Sequence, residues 1–467
     1  MKLVKFLAFT LGAAVALSSC RNNDGDGDDL TPVVETVLSG VQTESKTLTN
    51  DKVWTLKGYV YFPEGKTLTI QEGTVIKSDV TEKGALIIER GAKIFATGTA
   101  QKPIVFTSGK APGQRQPGDW GGIIILGKAK TNRSTDPQIE GGVGRYYGGN
   151  DDNDNSGILL YVRIEYAGIA AQPNSEINAL TLGAVGSGTK IDHVMTAFAN
   201  DDAFEFFGGT VSPTHLVAFA TADDDFDFDF GYRGTVQYAV ALRRPDFVDP
   251  GDAGNGIECD NDGTGSNAAP RTHPVISNMT IIGPNGATGT LSNHNLGNRW
   301  RRATNFTFVN SILLGNQKGG FSIESSASWN DYKNGVSKWQ NNIVYAVAKP
   351  FSTDSATARF LTGTKYPADP MQSADRTAMI NEGISMLRDL ATAAGQYNFV
   401  AATADAVGLT DPFNLTTPNF LPKAGSEALK GTFQAASGVK TESFRGAFGT
   451  DNWIAGWTNF NPGQQAY

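Results

Sequence analysis

From Trp54 onward the hydrophobic positions fall into short runs that stop at a glycine turn and begin again. Leu68-Thr69-Ile70 leads through Glu72-Gly73 to Thr74-Val75-Ile76, and Ala85-Leu86-Ile87-Ile88 leads through Arg90-Gly91 to Ala92-Lys93-Ile94. Pro103-Ile104-Val105-Phe106 and Gly122-Ile123-Ile124-Ile125-Leu126 follow. Runs this short, bounded by turn residues, predict β-strands. One stretch breaks the pattern. Ser373 to Ala394 places Ile380, Ile384, Leu387 and Leu390 at three- and four-residue steps, which predicts an amphipathic helix, with Gly383 interrupting it. The helix is expected on the end or flank of the strands, where a terminal coil would otherwise expose apolar surface. After it come short strands and turns ending in Trp453, Trp457 and Phe460.

Internal similarity narrows the architecture. Asn200-Asp201-Asp202-Ala203-Phe204-Glu205-Phe206 returns as Ala222-Asp223-Asp224-Asp225-Phe226-Asp227-Phe228, an offset of 22 residues. Gly209-Thr210-Val211 returns as Gly234-Thr235-Val236, an offset of 25. Repeats of this length suit one coil of three short strands, whereas propeller blades need ~40 residues. Runs at Val275 to Ile282, Ala303 to Leu314 and Trp339 to Val347 continue the theme, with Asn278-Met279-Thr280, Asn305-Phe306-Thr307 and Asn341-Asn342 at turns. In stacked coils, a residue type repeated at the coil period forms a ladder.

The first residues have a different character. Lys2 and Lys5 precede an apolar stretch from Phe6 to Leu17, and Leu17-Ser18-Ser19-Cys20 follows. The stretch is shorter than the ~20 residues that span a bilayer, so it predicts a signal peptide cleaved before a lipidated Cys20. Arg21 to Leu30, RNNDGDGDDL, has nothing to bury before Leu30 and predicts a flexible tether. Residues 1–19 are thus the expected signal peptide, 20–35 the lipidated acidic tether, 36–365 the β-solenoid and 366–467 a C-terminal helix with a capping or flanking segment. With Cys20 lipidated, Cys259 has no cysteine partner, so stability rests on burial or bound ions. A net charge of -8 argues against nucleic acid and leaves cations, neutral glycans and proteins as partners.

GTVIKSD (73–79), ALIIERGAKIFATGTAQKPIVFTS (85–108) and GDWGGIIILG (118–127) resemble the opening coils of right-handed parallel β-helix surface lipoproteins of Bacteroidota. The similarity continues through ANDDAFEFFGGTV (199–211) and returns at SFRGAFGTDNWIAGWTNF (443–460). The acidic stretch behind Cys20 likewise resembles their surface-export signal. The resemblance implies an all-β, right-handed parallel β-helix, anchored in the outer membrane and facing the cell exterior. It also implies work beside an energy-coupled outer-membrane receptor for nutrient import. It implies no agreed activity.

Candidate chemistry concentrates in three acidic clusters: Asp201, Asp202 and Glu205; Asp223, Asp224, Asp225, Asp227 and Asp229; and Glu258, Asp260 and Asp262. Alternation along Asp225 to Phe230 is expected to send phenylalanines inward and aspartates outward. Carboxylates stacked a strand spacing apart repel one another and need cations, basic neighbours or protons. Ca2+ held by Asp225, Asp227 and Asp229 is one reading, and a solvated face partly neutralised by Arg233, Arg243 and Arg244 is another. Asp152 and Asp154, before Ser156-Gly157, match the first half of a calcium loop, but Arg163 stands where its last glutamate belongs.

An enzyme must be weighed, since parallel β-helices host polysaccharide lyases and glycosidases. Asp201 and Asp202 would serve as the carboxylate pair and Arg243 or Arg244 as the base. No histidine is flanked by glycines and no Arg-X-Lys appears. Trp300 with Arg301, and Trp329 with Tyr332, are candidate sugar platforms or packing residues. The sequence therefore favours a non-enzymatic surface lipoprotein that binds a glycan, a cation or an outer-membrane partner. A calcium-assisted lyase or glycosidase and a structural or adhesive protein are the alternatives.

Overall fold

The computed structural model describes residues 36–133, 136–172 and 175–467. The expected signal peptide, Cys20 and the acidic tether lie outside these residues. Among the described residues, the glycine-punctuated runs form one 26-stranded sheet wound as a right-handed parallel β-helix. Each coil lays one strand on each of three faces.

The first face stacks Ala85–Ile88, Gly122–Leu126, Leu180–Gly183, Phe204–Phe207, Phe226–Asp229, Ile257–Cys259, Leu296–Arg301, Gly319–Glu324 and Phe351–Ser352, each paired with the next. Lys46–Leu48, Thr67–Ile70 and Lys93–Thr97 open the second face. Val75–Ser78 and Ile104–Ser108 lie on the third. In the middle coils one strand serves both faces, as in Gly157–Glu165, Lys190–Ala197, Thr214–Phe219, Thr235–Leu242 and Val275–Ile282. Each turns the corner through a single residue with positive φ: Tyr161, His193, His215, Tyr238 and Asn278, followed in the next coils by Asn310 and Asn341. The left-handed conformation costs an L-residue roughly 1–2 kcal/mol and suits asparagine best among side chains with a Cβ. At the last three corners asparagine recovers that cost in hydrogen bonds, with Asn341 Nδ2 donating to Asn310 Oδ1 at 2.9 Å. The expected ladder is therefore present, built from Asn278, Asn310 and Asn341; Asn305 is not a member.

The 22-residue repeat is a true register, since Phe204 pairs with Phe226. The 25-residue one is not. Thr214 pairs with Gln237, and the surplus is absorbed in the turn before the strand. Inside the coil the phenylalanines stack, Phe204 on Phe226 with centroids 5.4 Å apart and Phe206 on Phe228 at 4.9 Å. Each is fully buried, contributing about 1.5–3 kcal/mol.

Among the described residues three α-helices accompany the later coils: α1 (Ser326–Lys333), set between the strands Gly319–Glu324 and Lys338–Gln340, then α2 (Ser355–Thr362) and α3 (Ser373–Ala391). Leu387 and Ala391 of α3 join the main core and close the end of the coil. The buried stripe of α3 is Met379, Gly383, Leu387 and Ala391, one position off the expected isoleucines. Gly383 sets that offset: a Cβ there would stand 3.0 Å from the Ala358 Cβ, so its absence lets α2 and α3 touch. One more strand, Phe399–Val400, then joins the third face beside Ile343–Ala346. The segment beyond it runs back over the third face, burying Phe420, Phe448, Ile454 and Trp457 against Val217, Phe219, Val240, Leu242 and Ile312. On the first face a loop lays Ile139, Val143 and Tyr147 over Ile87, Ile124 and Leu126. Past that cover, the first face presents its acidic residues.

Candidate metal centre

Two residues ahead of four successive first-face strands stands an asparagine or aspartate: Asn178, Asp202, Asp224 and Asn255. Each side-chain oxygen accepts a main-chain N–H from the next coil. The N–H of Asp202 donates to Asn178 Oδ1 at 3.2 Å, and that of Asp224 to Asp202 Oδ1 at 2.8 Å. The N–H of Asn255 donates to Asp224 Oδ1 at 2.6 Å, and that of Leu296 to Asn255 Oδ1 at 3.3 Å. An asparagine performs this task without charge. The two central positions carry carboxylates, each with a second oxygen beyond the ladder's need.

The outward strand residues add to them. Glu205 pairs with Asp227 and Asp227 with Glu258, with Asp229 two residues further along the same face. Asp201 and Asp223 enter from the turns. Ligand oxygens of Asp201, Asp202 and Asp223 all lie within 4.8 Å of one another, as do those of Asp202, Glu205 and Asp227, so Asp202 belongs to both groups. Asn178 Nδ2 donates to Glu205 and, at 3.2 Å, to Glu140 from the covering loop.

Burial, then repulsion among the carboxylates, raises Asp201, Asp202, Glu205 and Asp227 well above the ordinary carboxylate range. The same causes push Asp223 up to about 10. Asp227 Oδ1 is buried without a hydrogen-bond partner. Basic residues answer this charge at one edge only. Arg299 bonds Glu258 at 3.0 Å and Glu324 at 2.8 Å, Arg301 bonds Glu258 and, at 2.9 Å, Asp260, and Arg302 bonds Asp260 at 2.6 Å. Glu258 still rises to about 8, because burial and Asp224 outweigh Arg301 and Arg299. Among the described residues, no lysine or arginine forms an ion pair with Asp201, Asp202, Glu205, Asp223, Asp227 or Asp229. Oxygen-only donors at this density suit a hard cation with six to eight ligands, as calcium is.

Over residues 40–383 the sequence matches the family described as the pectate-lyase like beta helix domain. The chain belongs to that family. Neither a curated protein nor a solved structure matches it.

Several expected site residues of this pectate-lyase-like β-helix sit elsewhere. Asp225 does not join the outward strip. It precedes the strand, is fully buried and pairs with Arg243 at 3.2 Å. Burial outweighs Arg243 and lifts Asp225 to about 6. Phe230, just past the strand at φ 49°, leaves the core and stacks outside on Phe207 at 5.8 Å. Alternation holds only between Phe226 and Asp229, where the backbone is extended. Arg243 is no poised base: buried, it donates to the carbonyls of Asn255 at 2.6 Å, Asp223 at 2.7 Å and Thr221 at 3.2 Å. It holds the turn carrying Asp223 and Asp224 from inside. Arg244 pairs at the surface with Asp246 at 2.8 Å.

Asp152 is taken by Arg233 at 2.7 Å, while Asp154 accepts from Ser156 Oγ at 3.3 Å. The two do not share a gathered set of ligand atoms among the described residues. Trp300 is no sugar platform, since it is fully buried with its ring 4.3 Å from Phe306, and the adjacent Arg301 is engaged by the acids. Trp329 and Tyr332 point from α1 into the core. Cys259 is buried with Sγ 3.0 Å from Thr304 Oγ1. The sequence reading missed Asn178, Asn255 and Glu140. For the first two a signal existed, an Asx residue two positions ahead of an apolar-X-apolar run, shared by 178, 202, 224 and 255.

Proposed function

We infer that this chain is a surface lipoprotein, anchored in the outer membrane through Cys20, which binds calcium on its acidic first face and through the ion holds an extracellular glycan or a protein partner. The observation that carries this reading is the ladder Asn178-Asp202-Asp224-Asn255. Its ends show that asparagine suffices for the backbone bonds, so the aspartates in the middle add charge where charge is costly. A bound divalent ion offsets that cost. The resemblance to lipoproteins that accompany energy-coupled receptors supports an outer-membrane receptor as the protein partner.

A calcium-assisted lyase shares the family's scaffold and the acidic strip, but it needs a base beside the metal. The arginines at hand are committed: Arg243 to Asp225 and backbone carbonyls, Arg299, Arg301 and Arg302 to acids. Binding without turnover is therefore the better fit. The test is calorimetric titration of calcium into chelator-treated protein, wild type against Asp202→Asn and Asp227→Asn. Heat of binding in the wild type that disappears in both variants supports the site. No heat in the wild type, or equal heat in all three, rejects it.

A further inference from the structure

On the corner between the second and third faces, four aromatic residues at positive φ stack ring on ring. Tyr161 lies on His193 with centroids 4.3 Å apart, His193 on His215 at 4.3 Å, and His215 on Tyr238 at 4.9 Å. Asp192 Oδ1 sits 2.8 Å from His193 Nδ1 and 2.9 Å from His215 Nδ1. These three residues have the composition of a transition-metal site, but the geometry opposes one. The imidazole planes are within 16° of parallel, and lone pairs lying in two stacked planes do not converge on one ion.

The stack stops at Tyr238, because the next corner residue is Asn278. Among the described residues, no ring other than His215 meets Tyr238. A cavity of about 400 Å³ lies at this step, between the corner and the C-terminal segment. It is lined by the rings of His215, Tyr238, Phe444 and Trp453 and by Glu442, Asp451 and Lys440. Trp453 is held in place, one face on Phe448 at 4.9 Å and its ring steep to His215 at 70°. Glu442 Oε1 accepts from Tyr238 Oη at 2.6 Å and pairs with Lys440 at 2.6 Å, which leaves Oε2 for a further donor.

We propose that this cavity binds a neutral pyranose unit of a glycan, with the C–H face of the sugar against the Tyr238 ring that lines it and its hydroxyls donating to Glu442 and Asp451. A concave site with a rigid aromatic floor and a few placed polar groups is what a small polar ring requires. Anionic sugars are disfavoured: Lys440 is already paired with Glu442, and among the described residues no lysine or arginine pairs with Asp451. The site lies on a different corner from the acidic strip and does not depend on calcium there.

The fold supplies its own control variant. Asparagine already occupies this corner in left-handed conformation at 278, 310 and 341, so Tyr238→Asn removes the ring while keeping backbone chemistry the fold accepts. The probes are the methyl glycosides of glucose, galactose, mannose and xylose with their β-1,4-linked tetrasaccharides, read by saturation-transfer NMR and by tryptophan fluorescence. Expected is binding of at least one by the wild type, weakened roughly tenfold or more in Tyr238→Asn and in Glu442→Gln and unchanged in Asp202→Asn. No binding of any probe up to about 50 mM, or wild-type affinity in both cavity variants, overturns the proposal. Loss in Asp202→Asn alone also overturns it, placing the sugar on the acidic strip instead.

Discussion

The main-chain N–H of Asp224 donates to Oδ1 of Asp202 across one coil, at 2.8 Å. One oxygen of Asp202 thus serves the fold while the carboxylate as a whole contributes to two clusters of metal-ligating atoms. These two roles are separable by substitution. In chelator, Asp202→Asn keeps the acceptor and loses the charge, so it should match or exceed the wild type in melting temperature. Asp202→Ala also orphans the buried N–H and should fall about 1–3 kcal/mol below the Asn variant in urea unfolding. Equal stability of the two variants would mean that the ladder bond contributes nothing.

The acidity of the strip sets a pH dependence with a definite sign. Asp223 and Glu258, raised to about 10 and about 8, bind protons in the folded state that the unfolded chain has already released. Stability of the metal-free protein is therefore greatest near the ordinary carboxylate range and declines as pH climbs through 8 toward 10. Calcium replaces those protons. Thermal melts from pH 5 to 9 should slope downward in chelator and flatten in calcium. A metal-free curve that instead rises over this range would show the cluster to be ionised without cost.

Arg243 and Asp225 stand together inside the coil, 2 % and 0 % exposed. Arg243→Met leaves a buried carboxylate unpaired and releases the turn carrying Asp223, at an expected cost of about 3–5 kcal/mol. Adding Asp225→Asn to it should recover part of that loss, as urea unfolding of both variants would show. Calcium affinity should fall in the single variant even at temperatures where it is fully folded.

Asn310 ties the corner to the C-terminal segment, its Nδ2 donating to Gln434 O and its Oδ1 accepting from Gln434 N, both at 2.8 Å. Asn310→Ala loses both bonds and the one from Asn341, and puts at φ 53° a residue that tolerates left-handed backbone less well than asparagine, costing about 2–4 kcal/mol in all. Asn310→Gly loses the bonds without the backbone strain, and the gap between the two variants measures the strain. Limited proteolysis should cut near Gln434 faster in both.

Much of the coil was legible because its cause is local. Phe204 and Phe226 repeat at the coil period, and burial of their rings is what the period exists to achieve. Asp225 was misplaced because alternation needs extended backbone, and where a strand begins depends on the coil beneath it. Arg243 and Trp300 carried chemical promise in sequence, yet each is enclosed by residues distant along the chain, which a linear pattern does not report. The acidic strip was visible as three clusters, while its organising ladder was hidden because Asn178 and Asn255 bear no charge. The C-terminal segment gave the least warning, since its apolar residues follow no period and are ordered only by the face they cover.

That segment changes how the coil can come apart. Lys77 Nζ donates to the carbonyl of Tyr467 at 3.0 Å, and Tyr467 Oη donates to Glu165 at 2.7 Å. Residues 390 positions apart are thereby clasped on an early coil. A bare stack of coils holds each repeat only through its neighbours, so it can fray from an end one repeat at a time. Here an early coil cannot peel away until the clasp opens, and that clasp belongs to a segment seated along much of the third face. Stability that a solenoid would distribute locally is pooled, and damage at either end is resisted by both.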